Sequence, residues 1–283
     1  MGARLGPLLA LAGVLGGCAA AGEIGASPYP GRVGAPPAGL GAETVAVPVR
    51  ARAPLAGWWV PAPDTAAAIV LLHGHTDDRT QMLDRARLFA DEGYAVLLAD
   101  LPAHGESAGE RVTFGVLERF AASAAVDYAR ARGHRRVGVV AVSLGAAAAS
   151  MAGEYLDVDA LVLESMFPTF EAAVRNRARR FLGPLSPSAA RALLGEVPHQ
   201  LGVPADSVRP VVGLARTDQP TFVIGGAEDR YTPPAETRAV FEAAPEPREL
   251  WIVEGTRHED YFEAAPEEYR ARVLGFLDRH LRR

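Results

Sequence analysis

Ser143 stands between an apolar stretch and a run of small residues, a pattern typical of a nucleophilic serine. Residues 137–147 read VGVVAVSLGAA, which predicts a strand, a very tight turn and a helix, with Ser143 at the apex. Small residues are needed two positions before and after the serine, because the two backbones nearly collide there. Ala141 and Gly145 occupy those positions. We therefore expect Ser143 to attack a substrate carbonyl, the alternative being an ordinary helix N-cap.

Two later segments offer the acid and the base that such a serine needs. Asp229 follows the apolar stretch 221–224, which places a carboxylate at the carboxyl end of a predicted strand. His258 follows the stretch 250–253 and precedes the last predicted helix. The chain order serine, acid, histidine is the order expected around a strand-to-helix serine. Glu228 is the competing acid, and a turn or surface role is the alternative for Asp229 and His258.

Residues 67–76 predict a second part of the same site, since a buried strand there runs into HGHT. The backbone N–H groups of His75 and Leu144 are the candidate donors to an oxyanion, Leu144 because it begins a helix. Two histidines two positions apart with no third ligand nearby are weak evidence for zinc. We expect no metal and no other cofactor, and we expect His73 to brace the loop.

Taken together and in this order, five segments resemble the α/β-hydrolase superfamily over roughly residues 45–283. The resemblance implies an α/β fold with a mostly parallel, eight-stranded sheet and helices on both faces. The matching segments are HGHT at 73–76, DLPAHGESAG at 100–109, AVSLG at 141–145, GAED at 226–229 and GTRH at 255–258.

The segment at 100–109 is similar to the DxxGHGxS loop of the serine aminopeptidase and prolyl-oligopeptidase-like branch. Ala103 stands where that branch often has glycine. In the family this loop is structural and borders the site. The resemblance therefore implies that Asp100 and His104 organise the loop and take no part in catalysis.

The rest of the chain predicts the same fold class without the resemblance, because apolar strands alternate with amphipathic helices, as in a parallel sheet covered on both faces. An antiparallel hairpin is expected over 43–60. The other predicted strands lie near 67–72, 94–99, 137–142, 160–163, 221–224 and 249–253, and the predicted helices at roughly 80–92, 114–132, 144–155, 235–244 and 266–281.

About 55 residues separate the strand ending near Glu164 from the one starting at Thr221, far more than a simple connection needs. The resemblance implies that residues 167–208 form a small helical cap over the site. Met166, Phe167 and Phe170 are candidates for an acyl pocket, with core packing as the alternative. The arginines at 175, 177, 179 and 180 form either a solvated helix face or a surface for an anionic membrane or an anionic substrate.

The amino terminus predicts a bacterial lipoprotein. Arg4 precedes an apolar segment that is too short to span a bilayer, and LGGC at 15–18 resembles a lipobox. Residues 1–17 would then be a signal peptide, with Cys18 the lipidated terminus and residues 18–42 a flexible tether to a domain at 43–283. We expect the domain to lie in the cell envelope, anchored by lipid and facing the periplasm. The alternatives are an ordinary signal peptide or an uncleaved anchor with a chance cysteine.

Composition agrees with one catalytic domain and limits its partners. The 283 residues are 49% hydrophobic, which is enough for a sizeable core, and the net charge of −5 gives no electrostatic case for nucleic acid. We expect a small-molecule acyl substrate and a serine hydrolase that cleaves carboxylic ester or thioester bonds through an acyl-enzyme. The alternatives are a peptidase or amidase and a catalytically silent, membrane-tethered binding protein.

Overall fold

The computed structural model describes residues 26–62, 67–258 and 260–282. Within them, eight strands form one twisted sheet and two further strands form a small pair outside it. The strands are β1 (Tyr29–Pro30), β2 (Glu43–Val47), β3 (Leu55–Val60), β4 (Ala67–Leu72), β5 (Ala95–Ala99), β6 (His104–Gly105), β7 (Arg136–Val142), β8 (Ala160–Glu164), β9 (Thr221–Gly226) and β10 (Arg248–Val253).

The main sheet has the order β10-β9-β8-β7-β4-β5-β3-β2. Every neighbouring pair from β10 to β5 is parallel, and β3 runs antiparallel to both β5 and β2. The predicted α/β-hydrolase fold, with a mostly parallel eight-stranded sheet, is confirmed. Because parallel strands point the same way, the loops after β4, β7, β9 and β10 open at one edge, where the candidate residues lie.

Alternate residues of each central strand enter two separate hydrophobic cores, which explains why these strands are apolar throughout. In β4, Ala68, Val70 and Leu72 belong to one core, while Ile69 and Leu71 belong to the other. Each core is closed by its own set of helices, so the sheet is covered on both faces as expected.

The helices fall close to the predicted ranges, and none in the described ranges is long and apolar enough to cross a membrane. They are α1 (Leu83–Asp91), α2 (Glu118–Ala131), α3 (Leu144–Ala152), α4 (Phe170–Leu182), α5 (Ser186–Leu201), α6 (Pro210–Leu214), α7 (Pro234–Ala243), α8 (Tyr261–Ala264), α9 (Pro266–Tyr269) and α10 (Gly275–Leu281). Short 3-10 turns occupy Arg79–Met82, Gly153–Tyr155, Gly183–Leu185 and Ala205–Ser207, and a π-helical segment at Arg270–Leu274 joins α9 to α10.

The long connection between β8 and β9 carries the helical insertion expected at 167–208. Its two main helices, α4 and α5, pack against each other. The N–H of Phe170 donates to the carbonyl of Val208 at 2.9 Å, which joins the two ends of the insertion. We call this pair of helices the cap.

Residues 26–42, which we expected to belong to a flexible tether, instead pack against the domain. β1 pairs in parallel with β6, and the carbonyl of Gly34 accepts a hydrogen bond from the indole Nε1 of Trp58 at 3.3 Å. The side chain of Leu40 is buried. The sequence does not predict these contacts, because the segment is rich in Gly, Ala and Pro and so resembles a flexible linker. The expected signal peptide, Cys18 and residues 18–25 lie outside the described residues.

Candidate active site

Ser143 occupies a strained turn between β7 and α3. Its φ of 48° and ψ of −101° place a non-glycine residue in a conformation that L-amino acids rarely adopt. The turn is this tight because α3 begins directly against β4: the N–H of Gly145 donates to the carbonyl of His73 at 3.1 Å. A Cβ at position 145 would lie 2.6 Å from the carbonyl oxygen of Leu72. The glycine is therefore required by backbone contact, as the motif predicts.

Asp229 and His258 are brought together by the loops after β9 and β10. The imidazole Nδ1 of His258 lies 2.8 Å from Oδ2 of Asp229. Oδ1 of the same carboxylate accepts from the backbone N–H groups of Tyr231 and Thr232, at 2.7 and 2.9 Å. Asp229 is buried, and these bonds fix it in one orientation. An ionised carboxylate accepts only, so Nδ1 carries the proton and Nε2 of His258 is left as an acceptor.

The two loops approach so closely because a glycine stands between them. A Cβ at Gly226 would lie 2.5 Å from the carbonyl oxygen of Arg257. The N–H of Glu228 donates to the carbonyl of Thr256 at 2.7 Å, which ties the loops further. The side chain of Glu228 is exposed, whereas that of Asp229 bonds the histidine. The geometry thus selects the aspartate as the partner of His258.

The two candidate oxyanion donors, His75 and Leu144, line the same cavity as Ser143 and His258. Leu144 is the first residue of α3, so its N–H is at a helix start. The imidazole of His75 packs at 5.4 Å from the ring of Phe114.

His73 braces the loop, as its sequence position predicts. Its Nε2 accepts from the N–H of Leu101 at 2.9 Å, so its Nδ1 donates to the carbonyl of Gly74 at 2.7 Å. Complete burial lowers the pKa of His73 to about 3, and the ring is neutral at physiological pH. In the described ranges no group of three or more His, Cys, Asp or Glu side chains is arranged to hold a metal ion.

Asp100 stabilises the loop 100–109 through hydrogen bonds and an ion pair of its side chain. Its buried carboxylate accepts from the N–H of Arg79 at 2.7 Å and from the N–H of Glu106 at 2.8 Å, and it pairs with the Arg79 guanidinium. Burial raises the pKa of Asp100 in spite of these partners. Ala103 has a φ of 65°, which explains why glycine suits this position better. His104 stacks on Tyr29 at 5.7 Å, and so holds the amino-terminal segment.

A cavity of about 810 Å³ lies between the cap and the edge of the sheet that carries Ser143 and His258. Much of its lining is aromatic or aliphatic, and we call the part of the wall formed by these side chains the apolar chamber: Phe114, Phe167, Phe170, Val174, Val197 and Leu201. Phe167 and Phe170 thus face the cavity, as one interpretation of the sequence predicted. Met166 does not line it; its sulfur accepts from the hydroxyl of Ser150 at 3.0 Å in the core.

The four cap arginines do not share one role. Arg175 is exposed and pairs with Glu171 at one turn's spacing, as a solvated helix face would. Arg177 lines the cavity and lies 5.3 Å from the ring of Tyr231, which itself lies 5.2 Å from the ring of His258. Sequence reasoning missed Tyr231, because nothing in its neighbourhood marks it apart from its position two residues after Asp229.

A largely buried ion-pair network lies next to the turn at Ser143, and no motif in the sequence indicates it. The guanidinium of Arg85 bonds both carboxylate oxygens of Glu164, at 3.1 and 2.6 Å, and also Asp260 at 2.7 Å. The hydroxyl of Tyr269 donates to Glu164 at 2.6 Å. The carbonyl of Glu164 accepts from the N–H of Ser143 at 2.8 Å, which links the network to the turn.

A parallel sheet with a strained serine between strand and helix, and an acid and a histidine on the following loops, defines the α/β-hydrolase class. A sequence model described as the alpha/beta hydrolase family matches residues 69–272. The chain belongs to this family.

The chain is similar to several known proteins. It is 29% identical to the uncharacterized protein YqkD of Bacillus subtilis (strain 168) over 231 residues, which are 78% of this chain and 74% of that protein. The structure of the esterase Pf2001 from Pyrococcus furiosus is 24% identical, with a TM-score of 0.74, and covers 90% of this chain and 98% of that one. The structure of a monoacylglycerol lipase from Paleococcus ferrophilus is 22% identical, with a TM-score of 0.60, and the match covers 80% of this chain and 99% of that one. At these identities the two structures establish the shared fold.

Proposed function

We propose that the protein is a serine hydrolase that cleaves carboxylic ester or thioester bonds with Ser143, Asp229 and His258. The observation that carries the proposal is the 2.8 Å bond between His258 and Asp229 on the same cavity as the strained Ser143. A serine hydroxyl is a weak nucleophile at neutral pH, and a histidine held in one tautomer by a buried carboxylate is the group that activates it.

The reaction proceeds in two halves. His258 takes the hydroxyl proton as Ser143 attacks the acyl carbonyl, and the N–H groups of Leu144 and His75 stabilise the oxyanion. His258 then gives that proton to the leaving alcohol or thiol, and the acyl group stays on Ser143. A water molecule attacks the acyl-enzyme with His258 again acting as base, which releases the acid and restores the serine.

The apolar chamber supports an acyl chain as the part of the substrate that is retained on the enzyme. Its walls are aromatic and aliphatic, and a cavity of this volume is of the size that holds small molecules. A monoacylglycerol lipase and an esterase share the fold, which agrees with this choice. Burial of an aliphatic chain stabilises the bound substrate by about 0.8 kcal/mol per methylene.

Turnover of a matched series tests the proposal: p-nitrophenyl esters and acyl thioesters of increasing chain length, and an aminoacyl anilide. We expect the esters or thioesters to be cleaved much faster than the anilide. Val174→Trp, in the apolar chamber, should shift the preference to shorter chains, while Ala192→Trp, on the exposed side of the cap, should not. Faster anilide cleavage would favour a peptidase or amidase, and no turnover at all would favour a silent binding protein.

We further propose, from the sequence, that Cys18 carries the lipid that holds the domain in the bacterial cell envelope. The lipobox-like LGGC and the short apolar segment before it support this location. Because residues 26–42 pack on the domain, the linker between anchor and domain is short on this account.

A further inference from the structure

Four arginines lie on the cap helix α4 and on the loop that carries Tyr231. Arg177 lines the main cavity, and Arg179, Arg180 and Arg230 line a second cleft of about 710 Å³. Phe181 borders both spaces, so the two are neighbours. Among the ion pairs of the described residues, none involves these four side chains. We call Arg177, Arg179, Arg180 and Arg230 the arginine cluster.

The cluster is connected to the base of the proposed reaction through Tyr231. The guanidinium carbons of Arg177 and Arg180 lie 5.3 and 5.1 Å from the centre of the tyrosine ring, within the range of cation–π attraction. The same ring lies 5.2 Å from the imidazole of His258. Two positive charges therefore contact the same aromatic ring that contacts the histidine.

Arg177 is only partly exposed, and Asp229 favours its charge through space without forming an ion pair with it. Burial lowers its pKa from the usual value. The one hydrogen bond described for its side chain runs to the carbonyl of Ala173 in its own helix, at 3.4 Å. A partly buried guanidinium without an ion-pair partner raises the free energy of the protein, and a bound anion would lower it.

The acids nearest to the cluster are already engaged. Asp229 bonds His258 and two backbone N–H groups. Glu236 accepts from the amide of Asn176 at 2.7 Å, and burial raises its pKa. Asp229 favours the charge of Arg177 and Arg179 favours that of Glu236, but neither acid forms an ion pair with the cluster among the described residues, so its N–H groups are left to bind a ligand.

We propose that the arginine cluster binds a phosphate on the leaving group of the substrate, so that the preferred substrates are acyl esters or thioesters whose alcohol or thiol part carries phosphate. This inference rests on the proposed function. His258 must reach the leaving oxygen or sulfur to protonate it, so the leaving group lies beside His258 and hence beside Tyr231 and the cluster. Three guanidinium groups line the second cleft and the fourth lines the neighbouring main cavity, and such a set suits the three oxygens and the double charge of a phosphate better than a single carboxylate.

The test compares soluble substrates with the same acyl chain, used below their aggregation concentration: octanoyl glycerol, octanoyl glycerol 3-phosphate and octanoyl coenzyme A. We expect the wild-type protein to prefer at least one phosphate-bearing substrate in kcat/KM. Arg177→Gln and Arg180→Gln should each lower the ratio of kcat/KM between phosphate-bearing and neutral substrate about tenfold or more, mainly through KM. Arg177→Lys should recover part of the ratio. The charge-matched control Arg175→Gln, on the same helix and outside both spaces, should leave it unchanged.

The two phosphate-bearing substrates separate a glycerophosphate headgroup from a coenzyme thioester. A ratio that is the same in wild type, Arg177→Gln and Arg180→Gln would overturn the inference while leaving hydrolysis of p-nitrophenyl octanoate intact. A discrimination that appears only when the substrates are embedded in anionic vesicles would also overturn it, because the arginines would then face a membrane. Failure to turn over p-nitrophenyl octanoate as well would count against the proposed function itself.

Discussion

At the scale of single residues, the choice between Asp229 and Glu228 as the acid decides how the site is built. Asp229 is buried and bonds His258 and two backbone N–H groups, while Glu228 is exposed. Asp229→Asn should lower kcat by about 10³- to 10⁴-fold, because an amide no longer fixes the histidine tautomer or stabilises the imidazolium. Glu228→Gln should leave kcat close to wild type. Steady-state kinetics with one ester checks both, and the opposite ranking would show that the acid is wrongly assigned.

The lowered pKa of the buried His73 predicts that the free energy of unfolding depends on pH. Its pKa is about 3 in the folded protein against 6.5 for an unperturbed histidine, so the unfolded chain binds more protons between these values. The contribution of neutral His73 to the free energy of unfolding is therefore fully present above pH 6.5 and decreases as the pH falls. From neutral pH to about pH 5 the loss should be about 2 kcal/mol.

Denaturant unfolding of wild type and His73→Gln across this range measures the effect. The variant should be less stable at neutral pH but should show a flatter dependence, because it lacks the titrating ring. If the free energy of unfolding fell equally steeply with pH in the two proteins, other groups, such as the buried His104, would be responsible for the loss.

The site residues that could be predicted from the sequence are those whose position in a strand or turn requires a recognisable pattern of neighbouring residues. Ser143 needs small neighbours in a strand-to-helix turn, and Asp229 and His258 follow apolar strands. Tyr231 carries no such mark, and the four cap arginines could be named as a group but Arg177 could not be separated from the others, since these positions are set when the cap folds over the sheet edge. Side chains that meet only through tertiary packing could not be predicted from one chain.

At the scale of elements, the close contact between β4 and the start of α3 makes a prediction about Gly145. Gly145→Ala would push a methyl group into the carbonyl oxygens of Leu72 and His73, at 2.6 and 2.8 Å. Because these are backbone atoms, the strand or the helix must shift, which should cost about 3 kcal/mol or more. Thermal or denaturant unfolding together with ester turnover measures the loss.

A matched glycine lies in the cap helix α5. A Cβ at Gly195 would meet nothing within 4 Å, so Gly195→Ala should raise stability by about 0.5–1 kcal/mol through helix propensity. Equal effects of the two substitutions would mean that the turn at Ser143 is looser than the contacts indicate.

The elements themselves were predictable where hydrophobic periodicity is strong. The strands of the central sheet read as continuous apolar runs because both of their faces are buried. The pairing of β1 with β6 was missed, since Tyr29 and Pro30 lie in a segment rich in Gly and Pro that resembles a linker. Its order comes from contacts with Trp58 and His104, which are distant in the chain.

At the scale of the whole molecule, the proposed lipid anchor places the domain at a membrane and leaves its chemistry unchanged. Cys18→Ser should abolish lipid attachment and lipoprotein processing, because it removes the thiol that would be acylated. The intrinsic ester turnover of the domain should stay as in wild type, since the site lies entirely within the hydrolase domain. Metabolic labelling with an alkyne fatty acid, followed by fractionation, checks this. Wild-type protein that is unlabelled, found in the cytosol and still carrying Met1 would contradict the anchor.

Covalent labelling with a fluorophosphonate probe tests most directly whether Ser143 is the nucleophile, on which the proposed function depends. The folded wild-type protein should gain one probe adduct per chain, located on Ser143 by peptide mass spectrometry, and Ser143→Ala should gain none. Asp229→Asn should be labelled far more slowly, because the histidine is no longer held in place. Folded wild-type protein that stays unlabelled, or an adduct that persists in Ser143→Ala, would contradict the account.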